Sequence, residues 1–557
     1  MKKYSLSLLS FFLLLGLTYS PVRAQKNVLF LMADDFNYWM TGYYPALKTP
    51  NLDSLASMGI MFTEAHCTSP VCNPSRNAIW SGYRPSTTRI WTNSNNPDGD
   101  YVRDVPGFEN IVTMHQYFKE NGYFAFGGGK LYHDGKMGST KTDPTHWSQL
   151  TTQNTGSPGG PFYEWSHPDA TVSFKAGEFP YTNAGDTQLA NEVADLISNY
   201  ANSPNSGQPF FIGCGFFRPH LPWNCHKDFY DLYDPEALPF PDGFLAGDLN
   251  DISYTATSEH LAIVNNNQWK NAIRAYLANS TYADYNVGIV LDALRNSPYA
   301  DSTIIVFMGD HGWHLGEKER WKKSSVFDQA FHTTLIIYDP SAPGNGQVCS
   351  KVVSLQDLYP TLVELTGLPT KNSVEGRSIA PLIEDPARTD WDFPIYMTYA
   401  GTNIVKTNEW RFIDDGNESQ LYHTSIDPYE WTNLYGKAGY EAITNTLQSY
   451  LDNLMTNSAI IRNNLLNGTD IDPSLATPKR TYIINTMVTD SILRLDLLYA
   501  APVVDLKILT IKGDLVFETE VVGESEISVQ LDGIVPGTYL LEIISEGVPY
   551  VERFVVQ

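Results

Sequence analysis

Two stretches of this chain share one design, an unbroken apolar run that stops abruptly at carboxylates. Lys26-Asn-Val-Leu-Phe-Leu-Met32 leads through Ala33 into Asp34-Asp35, and Thr303-Ile-Ile-Val-Phe-Met308 leads into Gly309-Asp310-His311-Gly312. Runs of this kind, with no polar alternation, read as strands buried on both faces, which belong in parallel sheets. Phe210-Phe-Ile-Gly213 and Thr334-Leu-Ile-Ile-Tyr338 are two more. Helical patterns lie between them: Asn51 to Met58, Thr113 to Asn121, Thr187 to Tyr200, Trp269 to Asn296 and Gln356 to Thr366. Strands alternating with helices predict an α/β sheet covered on both faces. Ligands of such sheets bind beyond the carboxyl ends of strands, where these Asp and His residues fall.

The texture changes elsewhere. Residues 134–185 are rich in Gly, Ser, Thr and Pro, with Trp147, Phe162, Tyr163, Trp165, Phe174 and Tyr181 interleaved. That composition predicts either a long decorated loop or lid, or a loosely ordered insertion. From about residue 395, short pieces such as Trp410-Arg-Phe-Ile413 and Gln420-Leu-Tyr422 suggest a small antiparallel sheet. From Thr481 onward, short β-runs alternate with turns at Lys512-Gly513-Asp514, Asp532-Gly533 and Pro536-Gly537, which predicts a separate β-sandwich. A chain of 557 residues has room for two to four domains at roughly 150 residues each. The expected organisation is a leader at 1–24, an α/β unit at 25–395, an antiparallel subdomain at 396–465, a linker at 466–480 and a sandwich at 481–557.

The leader is read as an export signal. Lys2 and Lys3 precede the largely apolar Leu6 to Leu17, and Val22-Arg23-Ala24 puts small residues at the cleavage-determining positions, so the mature chain is expected to start at Gln25. The apolar run is shorter than the roughly 20 residues a span needs. No other stretch approaches that length, so no transmembrane span is expected. Five cysteines, Cys67, Cys72, Cys214, Cys225 and Cys349, are too few for a disulfide scaffold, and their odd number leaves one unpaired. Cys214 and Cys225 are close enough in sequence to pair. A net charge of −25 with no long Lys/Arg run argues against a nucleic-acid partner. The 33 Tyr, 26 Phe and 12 Trp are numerous enough to suggest carbohydrate as a ligand class.

Carboxylates at two strand ends suit a hard cation such as Ca²⁺ or Mg²⁺, although Asp also caps helices and makes turns without any ion. Cys72-Asn73-Pro74-Ser75-Arg76, continued by Gly82 and Arg84-Pro85, resembles the formylglycine signature of type I sulfatases, in which the Cys is oxidised to an aldehyde. Further blocks resemble that family in order: Asp34-Asp35, Thr49-Pro50-Asn51-Leu52-Asp53, Gly129-Lys130-Leu131-Tyr132-His133, Pro219-His220, Gly309-Asp310-His311-Gly312, Lys323, and Asp427-Pro428-Tyr429-Glu430. Gln116 to Tyr123 and Asp310 to Glu317 resemble the iduronate-2-sulfatase subgroup. The resemblance spans roughly 26–440 and implies an alkaline-phosphatase-like mixed sheet sandwiched by helices. Segment 134–185 matches nothing in it.

The chemistry explains why such residues are needed. A sugar sulfate has a poor leaving group, and its charge repels an ionised nucleophile. A thiol attacking sulfur would end in a stable thiosulfate. An aldehyde hydrate attacks through one hydroxyl and expels sulfate through the other, splitting the reaction into two easier steps. The resemblance assigns Asp34, Asp35, Asp310, His311 and the converted Cys72 to one Ca²⁺. It gives Arg76 the task of orienting the hydrate, Lys130 and Lys323 that of binding sulfate, and His133 that of assisting deprotonation. His220 becomes the general acid for the leaving alkoxide and a substrate contact. Trp313 is expected to touch substrate. Lys322 competes with Lys323 for its role. Gly127-Gly128-Gly129-Lys130 lacks the spacing and the following Ser/Thr of a phosphate loop.

Val503 to Gln557 resembles the C-terminal sorting domain of type IX secretion, through Gly513-Asp514-Leu515-Val516, Pro536-Gly537-Thr538-Tyr539 and Phe554-Val555-Val556. The expectation is an exported sulfatase, secreted or on the cell surface with the periplasm as alternative. It would act on sulfated oligo- or polysaccharide, of glycosaminoglycan or algal type with uronate, after a formylglycine-generating enzyme has converted Cys72. The rival readings are a phosphonate or phosphate monoester hydrolase and a non-catalytic binder of sulfated glycans.

Overall fold

The computed structural model describes residues 25–467 apart from 39–43, 134–143, 152–163, 179, 372 and 417, and then mainly strands between 483 and 556. The expected leader 1–24 and most of the expected linker, 468–480, lie outside the described residues. No described helix is long and apolar enough to cross a membrane.

In chain order the strands are β1 (Asn27–Asp34), β2 (Ile60–His66), β3 (Phe124–Gly129), β4 (Gln149–Leu150), β5 (Trp165–His167) and β6 (Ala170–Gly177). Then come β7 (Phe210–Pro219), β8 (Trp223–His226), β9 (Thr303–Gly309), β10 (His314–Leu315), β11 (Trp321–Lys322), β12 (His332–Tyr338) and β13 (Val348–Ser354). Eight of them form the central sheet in the order β13-β2-β12-β9-β1-β7-β3-β4. β12 runs antiparallel to both its neighbours, and the other pairings are parallel, which makes the sheet mixed.

β1 lies in the middle and is buried along its whole length. Val28, Phe30 and Met32 enter one apolar cluster with Trp80 and Phe211, while Leu29 and Leu31 enter another with Val287, Val290 and Leu291 of helix Trp269–Arg295. This alternation needs an apolar residue at every position, as the sequence supplies. Each large side chain so buried contributes about 1.5–3 kcal/mol. The register pairs Ala33 with Gly309 on one side, and Asp34 with Pro219 on the other, so three strands deliver their ends to one place.

Segment 134–185 is only partly described, and Phe162 and Tyr163 lie outside the described residues. Its remainder is regular structure rather than open loop. β4 joins the sheet edge, β5 and β6 form a three-stranded sheet with β8, and Trp147 is buried, stacked on His115 at 4.1 Å between ring centroids. The expected Cys214–Cys225 pairing is corrected: all five cysteines are free and buried. Cys214 packs between the sheet and its helices, whereas Cys225 sits in a separate cluster around Trp223.

β14 (Ile395–Tyr399), β15 (Thr402–Lys406), β16 (Arg411–Asp414) and β17 (Gln420–Tyr422) form a four-stranded antiparallel sheet. Helix Glu441–Leu466, which the sequence reading did not foresee, covers it with Leu447, Leu451 and Leu454 against Val405, Phe412 and Leu421. From residue 483 on, the described residues form seven strands that pair antiparallel in one three-stranded and one four-stranded sheet. The expected turns at 512–514 and 532–533 lie outside the described residues.

Candidate active site

Four parallel strands end together and set out the site. β1 ends at Asp34 with Asp35 next, β9 is followed by Asp310-His311, β3 by Lys130, and β7 by His220. Two glycines permit the crowding. A Cβ on Gly309 would stand 1.9 Å from the Phe36 carbonyl oxygen, and one on Gly215 would stand 2.4 Å from the Lys130 backbone. The Lys130 amide can therefore reach the Gly215 carbonyl at 2.7 Å, which aims its side chain inward.

Cys72 opens the helix Cys72–Ser81, every residue of which is buried, and Gly82 closes it in the left-handed region at φ 78°. Ser75 Oγ donates to the Asp310 carbonyl at 2.5 Å. Arg76, fully buried, forks across two strand ends: Nε donates to Asp310 Oδ2 at 2.8 Å, Nη2 to Asp34 Oδ1 at 3.0 Å, and Nη1 to the Lys130 carbonyl. Cys72 Sγ accepts from Lys323 Nζ at 2.9 Å and lies 3.4 Å from His311 Nε2. Lys130 pairs with Asp34, and Lys323 with Asp35. Asp35 adopts φ 63°, and Lys322 and Ser324, on either side of Lys323, adopt φ 69° and 64°; non-glycine residues tolerate this mainly where surrounding structure enforces it.

The electrostatics follow from burial against paired charge. Burial opposes ionisation of Asp34, but Lys130, His220, Arg76 and Lys323 outweigh it and hold the carboxyl well below its usual range. Burial raises Asp35 to about 7, against the pull of Lys323. Cys72 is pushed up by burial and by Asp34, yet Lys323, Lys130 and His311 prevail and leave it well below a normal thiol. His220 is lowered to about 3 by burial and Lys130.

The donor set fits a hard cation. His311 Nδ1 lies 3.0 Å from the Gly312 carbonyl oxygen, which assigns the ring hydrogen to Nδ1 and leaves the Nε2 lone pair facing inward. Nε2 lies 3.3 Å from Asp35 Oδ1 and 3.6 Å from Asp310 Oδ2, oxygens that also accept from Lys323 and Arg76, so several ligand-type atoms converge on one point. Asp35 Oδ2, also buried, accepts no hydrogen bond among the described residues. Ligand atoms of Asp34, Cys72, Asp310 and His311 lie within 4.8 Å of one another, as do those of Asp34, Asp35, Cys72 and His220.

Matched against families, residues 26–368 fit the model described as Sulfatase, and 309–457 fit that of the N-sulphoglucosamine sulphohydrolase C-terminal region. The chain belongs to the sulfatase family. It is a sulfuric ester hydrolase. A Sulfatase of Formosa agariphila is 33% identical over 484 residues, covering 79% of this chain and 91% of that one. Human iduronate 2-sulfatase is 30% identical over 452 residues, covering 72% and 78%. A solved structure of a putative sulfatase from Bacteroides thetaiotaomicron superposes with a TM-score of 0.61 at 22% identity, covering 83% and 97%. The fold is thus the alkaline-phosphatase-like fold of sulfatases.

In this sulfatase the predicted residues Asp34, Asp35, Cys72, Arg76, Lys130, His220, Asp310, His311 and Lys323 gather in one cluster. Lys322 does not join them; its ammonium turns outward to Glu259 at 2.8 Å and Thr171 Oγ1 at 2.6 Å. His133 sits half-buried beyond Lys130 and, among the described residues, hydrogen-bonds to none of the cluster. Trp313 is corrected. It is 1% exposed, packed on Tyr276 and Trp223, with Lys323 Nζ 5.5 Å over its ring. It is a platform for the lysine rather than a surface on which a sugar can stack. Ser75 and Gly215 were missed as supports of the site. Ser75 lay inside the quoted motif, so its helical position facing Asp310 was the available signal.

A second group, Glu64, His66 and His332, also has ligand atoms within 4.8 Å of one another. Here a protein cation already serves the carboxylates: Lys406 Nζ lies 3.1 Å from Glu64 and 2.9 Å from Asp328. Arg411 Nε is 3.2 Å from Asp328, and its Nη1 pairs with Glu430.

Proposed function

We propose that this sulfatase hydrolyses sulfate esters of saccharides, with uronate-containing polysaccharides or their oligosaccharides as the substrate class and the side chain at 72, converted to formylglycine, as nucleophile. The observation that carries this reading is Cys72 Sγ at 2.9 Å from Lys323 Nζ and 3.4 Å from His311 Nε2, beside two strand-end carboxylates. The glycosaminoglycan direction is supported by the relative human iduronate 2-sulfatase.

Asp34, Asp35, Asp310 and His311 would hold Ca²⁺ together with residue 72; when bound, the ion acidifies a hydroxyl and neutralises sulfate oxygens. Asp34, Asp35 and Asp310 are matched by the cations Arg76, Lys130 and Lys323. Any added divalent charge therefore turns the pocket into an anion site within a chain of net charge −25. At about 0.15 M salt the Debye length is about 8 Å, so this local charge outweighs the distant acidic surface. Arg76 fixes the orientation of residue 72 while staying protonated. Lys130 and Lys323 engage sulfate as point charges and His133 assists deprotonation at residue 72. His220 Nε2, unprotonated while burial and Lys130 depress it, takes up a proton when the bound sulfate offsets that positive charge and gives it to the leaving alkoxide.

Export belongs to the same proposal, with 1–24 as signal and 481–557 as a type IX sorting domain. The paired antiparallel sheets beyond residue 483 suit that sandwich. The test is sulfate release from defined sulfated oligosaccharides, compared with phosphate and phosphonate release from aryl esters. Faster turnover of the phosphorus esters would favour the phosphohydrolase reading, and binding without turnover would favour a glycan binder.

A further inference from the structure

We infer that Arg218 and Asp186 form a buried clamp whose task is to hold His220 at the leaving-group side of the pocket. This rests on the general-acid role proposed for His220. The loop Phe217 to Pro222 carries that histidine immediately after β7, where a freely hinged backbone would let the ring swing away from Asp34 and Asp35. Its Nε2 lies 4.0 Å from Asp34 Oδ2 and 3.8 Å from Asp35 Oδ2.

Arg218 is 1% exposed, and its Nη1 donates to the carbonyls of His220 at 2.7 Å and Pro222 at 2.6 Å. An arginine side chain thus reaches over the histidine's own backbone and fixes two of its carbonyls from inside the protein. Asp186 is 2% exposed and stands in the first turn of helix Gly185–Asn199, where the helix N-terminus favours a carboxylate. It accepts from the backbone amides of Phe217 and Arg218, each at 3.0 Å. The loop is therefore held from both ends: two amides by Asp186, two carbonyls by Arg218.

Within this frame the His220 amide donates to the Phe217 carbonyl at 3.0 Å, and the ring Nδ1 lies 2.6 Å from the Leu221 carbonyl oxygen. That carbonyl takes the Nδ1 hydrogen, so Nε2 is the nitrogen that faces the reaction. Burying an arginine and a carboxylate costs free energy that a surface loop does not need to spend. The hydrogen bonds described for the two residues run to the loop backbone and not to Cys72 or the cluster carboxylates, so both are positioning residues.

A positioning role for a general acid has a signature that a packing role lacks. Proton delivery matters more as the leaving group becomes more basic, and general acids supply roughly 10²–10⁴-fold. The experiment uses full-length protein with matched formylglycine content, assayed on aryl sulfates running from para-nitrophenyl to para-methoxyphenyl. Arg218→Gln should lower kcat for the most basic phenol by about 30-fold, a part of that acid contribution, and for para-nitrophenyl sulfate by less than about 3-fold. KM should stay within about twofold, and Arg218→Lys should recover most of the loss, since one ammonium can still reach a carbonyl. Asp186→Asn, which keeps shape but accepts at only one oxygen, should steepen the leaving-group dependence in the same direction and stands in if Arg218→Gln does not fold. Equal losses on every aryl sulfate in variants that melt like the parent would overturn the clamp. A parent protein inactive on all of them would instead strike the sulfatase proposal itself.

Discussion

The two buried charge clusters of this sulfatase use the same residue types for opposite ends. Around Asp328, the carboxylates of Glu64, Asp328 and Glu430 meet Lys406 and Arg411, and the ion pairs tie the antiparallel subdomain to the main sheet. Around Cys72, three carboxylates also meet three cations; among the described residues Asp35 Oδ2 accepts no hydrogen bond, and His311 Nε2 faces carboxylate oxygens and the Cys72 sulfur. In the first, each carboxylate has a cation from the antiparallel subdomain within ion-pair distance: Lys406 serves Glu64 and Asp328, and Arg411 serves Asp328 and Glu430. The second has ligand atoms gathered closely enough for a cation, and it sits at the ends of parallel strands. Counting acidic and basic residues does not separate structure from catalysis here; their places in the fold do, one cluster at the ends of parallel strands and the other at the seam with the antiparallel subdomain.

The largest expected effect falls on the strand-end cluster. Cys72→Ala should reduce turnover by at least about 10⁴-fold with the melting transition kept, since the nucleophile goes while the packing stays; near-parental activity refutes the assignment. In the other cluster, Arg411→Met should do the reverse. Leaving Asp328 and Glu430 without that partner should cost about 3–5 kcal/mol in denaturant unfolding, with specific activity of the folded fraction kept.

Chelation should then divide the clusters. Removing a divalent ion that binds only folded protein at 100 times its Kd costs about 2.7 kcal/mol, so activity and Tm should fall together. Asp35→Asn should abolish that response, and Glu64→Gln should leave it intact. A chelator response lost with Glu64→Gln would assign the ion to the wrong cluster. The smallest effect concerns acid. Burial holds His332 near 4, despite Glu64 and Asp328 beside it and with His66 and Lys406 also lowering it. A base depressed in the fold binds its proton in the unfolded chain first. Its contribution is therefore present above about pH 6.5 and is lost as pH falls toward 4, by about 2–3 kcal/mol. His332→Gln should flatten the Tm profile across that window; an unchanged slope would show that His332 does not set it.

Legibility in the sequence followed burial. β1 and β9 were readable because strands covered on both faces need apolar residues throughout, and their ends named Asp34, Asp35, Asp310 and His311. β3 was not, because Phe124-Ala-Phe-Gly-Gly-Gly129 has the composition of a loop; its glycines are there for the close approach of Gly215 and Leu189. Helix Glu441–Leu466 was missed since its apolar face is narrow, diluted by Asn, Thr and Ser. Arg218 and Asp186 carry no motif. Their role depends on a fold that brings residues 32 positions apart into contact. Trp313 was expected to touch substrate, and its depth is a tertiary property that no local pattern encodes.

The central claim is that the side chain at position 72 is the nucleophile in formylglycine form. Mass spectrometry of the peptide spanning Val71 to Arg76, taken from active protein, tests it most directly. The account predicts an aldehyde at residue 72, in a fraction that tracks specific activity across preparations. Full activity from protein in which that residue is wholly an unmodified thiol would contradict it.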